Sequence, residues 1–127
     1  MHCRYCGRTL TYSITTRDHI LPKFIMTRAR INNDSSRNIV LACGYCNNVK
    51  ACNMMIPTIR NLKNFKYFTD EELKNYAEFL YRNKDKIYPA LEHYSRNRET
   101  YKSELLEFSY FYKCGYFQNI GKYSIRS

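Results

Sequence analysis

Cys43-Gly44-Tyr45-Cys46-Asn47-Asn48-Val49-Lys50 sets a C-x-x-C pair directly against two asparagines and a lysine. A second pair, Cys3-Arg4-Tyr5-Cys6, lies upstream, and 36 residues from Gly7 to Ala42 separate the two. A C-x-x-C turn presents two sulfurs to one side of an ion, so two such turns close a tetrahedral zinc site. Cys3, Cys6, Cys43 and Cys46 are therefore expected to hold a structural Zn²⁺. The alternatives are disulfides or unmetallated core thiols, and a reducing compartment disfavours the first. The intervening loop is longer than that of a simple finger and must carry structure of its own. It contains Asp18-His19 and Asn38. Cys52 and Cys114 lack a partner at ligand spacing and read as buried apolar residues. His2 adjoins a ligand but is terminal, and His93 reads as a surface or packing residue.

A chain of 127 residues suits one domain, or a small module with an extension. The sequence has no apolar run long enough to cross a bilayer and no secretory h-region, which points to a soluble, cytoplasmic protein without a membrane partner. The net charge is +10, unevenly spread. Residues 1–60 carry nine Lys and Arg against two acids; residues 61–127 carry twelve against nine. A basic chain with 13 tyrosines and 7 phenylalanines fits a polyanion partner, most simply nucleic acid. The plainer reading is a basic, soluble surface. Abundant Asn, Lys, Tyr and Ile accord with AT-rich coding DNA, a hint of a phage or mobile-element origin.

Thr9 to Thr16 is β-branched and polar by turns, which predicts a strand continuing through Arg17 to Leu21 until Pro22 breaks it. Lys23 to Arg30 reads as a short basic helix or an ordered loop, and Asn32-Asn33-Asp34-Ser35-Ser36 is loop chemistry. Asn38 to Ala42 predicts the second strand, with a helix beginning near Asn47 and passing Lys50. Beyond Pro57 the pattern turns helical. Thr69-Asp70-Glu71-Glu72 is a capping box, followed by Leu73, Tyr76, Ala77 and Leu80 at helical spacing. Pro89 predicts the start of a further helix with an apolar seam of Leu91, Tyr94, Tyr101, Leu105, Phe108 and Tyr112, stopped by Gly115. The last dozen residues are aromatic and basic without a period. The expected organisation is a module over residues 1–56 and a helical extension over 57–127. So short a module has little core, and a zinc staple would supply what burial cannot.

Asp18-His19-Ile20-Leu21-Pro22, then Asn38-Ile39-Val40, then Cys46-Asn47-Asn48-Val49-Lys50, set between the cysteine pairs, resembles the HNH endonuclease family. Letters, order and spacing agree over residues 3 to about 53, with Asn47 in the third signature position, an H-N-N variant. The resemblance implies an α+β fold: a small ββα-metal module with its four-cysteine zinc site, followed by the helical extension. It implies a metal-dependent DNA endonuclease acting on double-stranded DNA and leaving 5′-phosphate and 3′-hydroxyl ends. Asp18 and Asn47 would hold a catalytic Mg²⁺ or Mn²⁺, a hard ion that prefers oxygen ligands. His19 would take a proton from the attacking water; imidazole, with an ordinary pKa of about 6.5, suits that work. Asn38 would orient His19, and Lys50 would meet a phosphate or stand as a solvated lysine. Asn47 could equally be a helix N-cap, or cap and ligate at once. Lys23, Arg28, Arg30 and Arg37 are candidate DNA contacts, against the plainer reading of a solvated basic loop. As a monomer the enzyme would nick; a double-strand break would need a homodimer or sequential nicks. A phage or host protein partner, and roles such as homing, stay open. The alternative function is a non-catalytic zinc-containing module that grips DNA or a host protein. A ribonuclease is a third reading, since RNA's 2′-hydroxyl makes a metal unnecessary.

Overall fold

Thr15–His19 (β1) and Ile39–Cys43 (β2) pair antiparallel, with Thr15 opposite Cys43 and His19 opposite Ile39. The structure is a computed structural model and describes residues 1–32, 35–51, 53–94 and 96–119. Cys52, Asn33 and Asp34 of the expected loop, and most of the aromatic basic tail lie outside the described residues. Between the strands runs a short helix, α1 (Lys23–Arg28), which settles the helix-or-loop alternative in favour of helix. After β2 comes α2 (Gly44–Lys50), then the long α3 (Asp70–Ala90) and α4 (Arg98–Lys113). The architecture is α+β, with the four cysteines at the sheet end and helices in the C-terminal part.

β1 is shorter than its β-branched sequence predicts. Thr9 instead bridges His2, closing the first cysteine turn, and Thr11–Ile14 forms a tight turn with the Ile14 amide donating to the Thr11 carbonyl at 3.2 Å. Local β-propensity yields here to closure of the cysteine turn. Gly7, with φ of +79°, completes that turn, its amide donating to the Cys3 carbonyl at 2.9 Å. β2 starts one residue later than predicted, because Asn38 ends a 3-10 turn, Ser36–Asn38.

α3 begins as its capping box requires. Thr69 Oγ1 accepts from the Glu72 amide at 3.0 Å, and Glu72 Oε1 accepts from the Thr69 amide at 2.9 Å. The same Glu72 oxygen accepts from Arg4 Nε at 2.6 Å, so the helix start is tethered to the first cysteine turn. Thr69→Ala should cost about 1 kcal/mol. Urea denaturation would read this as a lower midpoint with an unchanged slope; no shift at all would show the cap to be idle.

Pro89 does not open a new helix. It sits in the last turn of α3, and the next helix starts only at Arg98, after Asn97 at φ of +58°. A proline inside a helix costs about 3 kcal/mol. Ile87 and Leu91 on either side are fully buried, and burying two such side chains contributes about 3–6 kcal/mol, enough to hold the helical path. The apolar seam packs as predicted but belongs to two elements: Leu91 in a 3-10 turn, and Tyr101, Leu105 and Phe108 on α4. Gly115, φ +86°, follows the end of α4. Cys114 beside it is exposed, contrary to expectation, because it lies at the C-cap beyond the last buried turn.

One hydrophobic core draws on both halves of the chain, from Ile20, Leu21, Ile25 and Met26 through Phe65, Phe68, Tyr76 and Leu80 to Phe108 and Phe117. Tyr76 is fully buried; burial raises its phenol pKa well above the ordinary value, and the hydroxyl donates to the Met55 carbonyl at 2.6 Å. The helices of the extension pack on each other and on α1 and the Ser36–Asn38 turn. No helix of the described residues is long and apolar enough to cross a membrane.

Candidate functional site

The sulfurs of Cys3, Cys6, Cys43 and Cys46 lie within 4.8 Å of one another. A tetrahedron of zinc–sulfur bonds of about 2.3 Å has edges of about 3.8 Å. Cys6 Sγ and Cys43 Sγ are 4.0 Å apart, close to that edge and about twice the S–S bond length of about 2.05 Å. All four are free thiols. Burial pushes Cys3 up, but backbone hydrogen bonds from Cys43, Cys6 and Tyr5 prevail and its pKa falls to about 6. Burial, and then hydrogen bonds with the neighbouring thiols, push Cys46 strongly up. Thiols this close hinder one another's ionisation unless a cation lies among them, and a soft dication fits that donor set.

The second cysteine pair also starts α2. Cys43 is the N-cap, its sulfur accepting from the Cys46 amide at 3.4 Å. The helix thus begins at Gly44, three residues before the predicted start, and Asn47 lies inside it. The N-cap reading of Asn47 is therefore overturned: Cys43 already caps the helix.

From inside α2, Asn47 Nδ2 donates to Thr16 Oγ1 at 3.1 Å. That hydroxyl has one proton, and it goes to the Ala42 carbonyl at 2.9 Å. Thr16 can therefore only accept from Asn47, which turns Asn47 Oδ1 away from Thr16. Thr16 and Asp18 share one face of β1, the face toward α2, while His19 lies on the other face at the strand end. Asp18 is buried and His19 half-buried.

Asp18 Oδ2 accepts from Tyr5 Oη at 2.5 Å and pairs with Lys50 Nζ at 3.2 Å. Lys50 Nζ also donates to the His19 carbonyl at 2.8 Å. Lys50 is buried, which overturns the reading of a solvated surface lysine. Its ammonium instead ties the Asp18 carboxylate to the backbone of His19. Tyr5 was not foreseen. It is one of the two residues inside the first cysteine turn, and no spacing rule marks it; the convergence of the two cysteine turns carries it to Asp18. Burial, and then the Asp18 carboxylate, push its phenol pKa strongly up, so it stays a donor. Tyr5→Phe should cost about 1–3 kcal/mol by leaving a buried carboxylate one donor short. Chemical denaturation would measure it, and an unchanged midpoint would show the bond to be worth nothing.

Asn38 is fully buried. Its Oδ1 accepts from the Leu21 amide at 2.7 Å, and its Nδ2 donates to the Leu21 carbonyl at 2.9 Å. Its own carbonyl accepts from the Ile20 amide at 2.9 Å. Asn38 therefore clamps the backbone just past His19. Of the predicted DNA contacts, Lys23 and Arg28 are exposed on α1, with Arg28 over the Phe24 ring at 5.4 Å. Arg30 and Arg37 come together along one groove against α3.

Four clustered cysteines thus frame a ββα unit with Asp18-His19 at a strand end, Asn38 in the turn before β2 and Asn47 in α2. Residues 3–51 match the family model described as HNH endonuclease. No curated protein and no solved structure matches the chain. The domain points to a nuclease or other nucleic-acid-related function, combined with a cysteine cluster suited to zinc.

Proposed function

We propose that the chain is a metal-dependent DNA endonuclease that hydrolyses phosphodiester bonds to 5′-phosphate and 3′-hydroxyl ends. The observation that carries this reading is that Asp18 lies on the α2-facing side of β1, the side on which Asn47 reaches Thr16, with His19 next to it at the strand end, within the matched HNH segment. With Oδ2 of Asp18 engaged and Nδ2 of Asn47 facing Thr16, the donor set left for a hard divalent ion is Oδ1 of each residue. Mg²⁺ or Mn²⁺ held there would polarise the phosphate and stabilise the leaving 3′ oxygen. His19 accepts the proton of the attacking water. Lys50 and Tyr5 hold the Asp18 carboxyl in place, and Asn38 fixes the turn that follows His19. A monomer has one such site and nicks one strand. A phage or mobile-element origin accords with the Asn-, Lys-, Tyr- and Ile-rich composition.

One observation favours a second reading, a non-catalytic nucleic-acid-binding module. Lys50 already supplies a positive charge to Asp18, as a protein without a catalytic metal would need. Supercoiled plasmid separates the two. Incubated with the protein and Mg²⁺ or Mn²⁺, it should turn to nicked circles, and EDTA should stop this. Plasmid retarded on a gel but never relaxed by either metal would sink the nuclease and leave the binder.

A further inference from the structure

The extension contributes to a groove that the HNH segment begins. Arg30, at the end of α1, and Arg37, in the 3-10 turn before β2, face Arg82 and Lys86 of α3 across a cavity of about 390 Å³. Four cations thus converge from three elements, and no acidic side chain lines the cavity among the described residues. The carboxylate beside it is Glu78, whose Oε1 accepts from Arg37 Nη1 at 2.5 Å and pairs with Arg82 Nη2 at 2.8 Å. One oxygen therefore positions two guanidiniums. Each guanidinium has five N–H donors, so most remain for another acceptor. Among the described residues, counting Glu78, the cluster keeps a net charge of +3.

Arg30 gives a second, independent sign. Its amide donates to the Thr27 carbonyl at 3.2 Å, and the Ile31 amide to the Met26 carbonyl at 2.8 Å. This is a Schellman ending for α1, with Arg30 at the left-handed position, φ +58°. Glycine or asparagine is the usual occupant, and an arginine there costs about 1 kcal/mol. Such strain is characteristic of functional positions.

We propose that this groove binds backbone phosphates of duplex DNA outside the bond being cut, with Arg82 and Lys86 of the extension completing a site that Arg30 and Arg37 begin. It rests on the nucleic-acid reading above. Guanidiniums already held by Glu78 lose little freedom on meeting phosphate oxygens. The groove reads no sequence; it fixes register and adds salt-dependent affinity.

The test is fluorescence anisotropy with a labelled DNA duplex, using the zinc-loaded full chain carrying His19→Ala so that nothing is cut. Arg82→Ala with Lys86→Ala should weaken binding about tenfold and flatten the log–log salt dependence by roughly one to two units. Glu78→Gln keeps an oxygen acceptor for both guanidiniums but removes the negative charge beside the groove, so it should tighten binding; no tightening would speak against the proposal. Arg30→Gly should raise thermal stability and still weaken binding. Unchanged affinity and slope in the Arg82/Lys86 variant would overturn the proposal, as would failure of the parent to bind duplex DNA. Weakening seen with duplex RNA but not DNA would overturn the DNA assignment. Plasmid nicking by the wild type is scored separately: a chain that binds through this groove but never nicks refutes the nuclease and keeps the groove.

Discussion

Cys43→Ser should strip the protein of zinc and of its soluble fold together. Structural zinc contributes about 10–16 kcal/mol of apparent binding free energy in small zinc domains, as much as the whole stability of an ordinary domain. Here one sulfur also caps α2 and stands at the end of β2, opposite Thr15. Serine would keep a capping oxygen but lose a soft ligand, so the loss would be chiefly that of the metal. The sites are coupled through named bonds. The first cysteine turn carries Tyr5, which holds Asp18; the second starts the helix that carries Asn47 and Lys50. Metal analysis, circular dichroism and gel filtration check the outcome. Folded, monodisperse Cys43→Ser protein without zinc would show that the core from Ile20 to Phe117 suffices without the staple. Folded wild type without zinc would refute the metal site itself.

His19→Ala should lower nicking by about 10²–10⁴-fold, the usual contribution of a positioned general base, while zinc content and unfolding midpoint stay close to wild type. The separation is expected because several bonds that hold this segment run through its backbone. Lys50 reaches the His19 carbonyl, and Asn38 holds the Ile20 and Leu21 main chain. None of these is removed with the side chain. Initial rates of plasmid relaxation at saturating Mg²⁺ would measure the loss. Rates within a few-fold of wild type would remove His19 from the chemistry.

Much of this was legible in the residues, for local reasons. The C-x-x-C spacing places two sulfurs on one side of an ion whatever surrounds them, and the four do converge. The capping box at Thr69 and the buried face of Leu73, Tyr76, Ala77 and Leu80 follow from bonds and spacings within a single helix. The Asp18-His19 pair at a strand end followed from alternation and from Pro22. Where tertiary contacts outweigh local rules, the sequence misled. Burial of Ile87 and Leu91 carried α3 through Pro89, and the sulfur of Cys43 took the cap that an asparagine suggested.

The sequence by itself determined which groups the candidate site contains: four thiols at zinc-ligand spacing, an aspartate, a histidine and two asparagines, on a basic chain. Only the tertiary structure decided what those groups touch. It turned Lys50 inward to Asp18, brought Tyr5 across from the first cysteine turn, spent Asn38 on the Leu21 backbone, and set Arg82 and Lys86 of α3 opposite Arg30 and Arg37. Ligand spacing is short-range in sequence and fixed by covalent geometry. Buried partners and charge clusters join residues tens of positions apart, and only the packing of the shared core brings them within a hydrogen bond of one another.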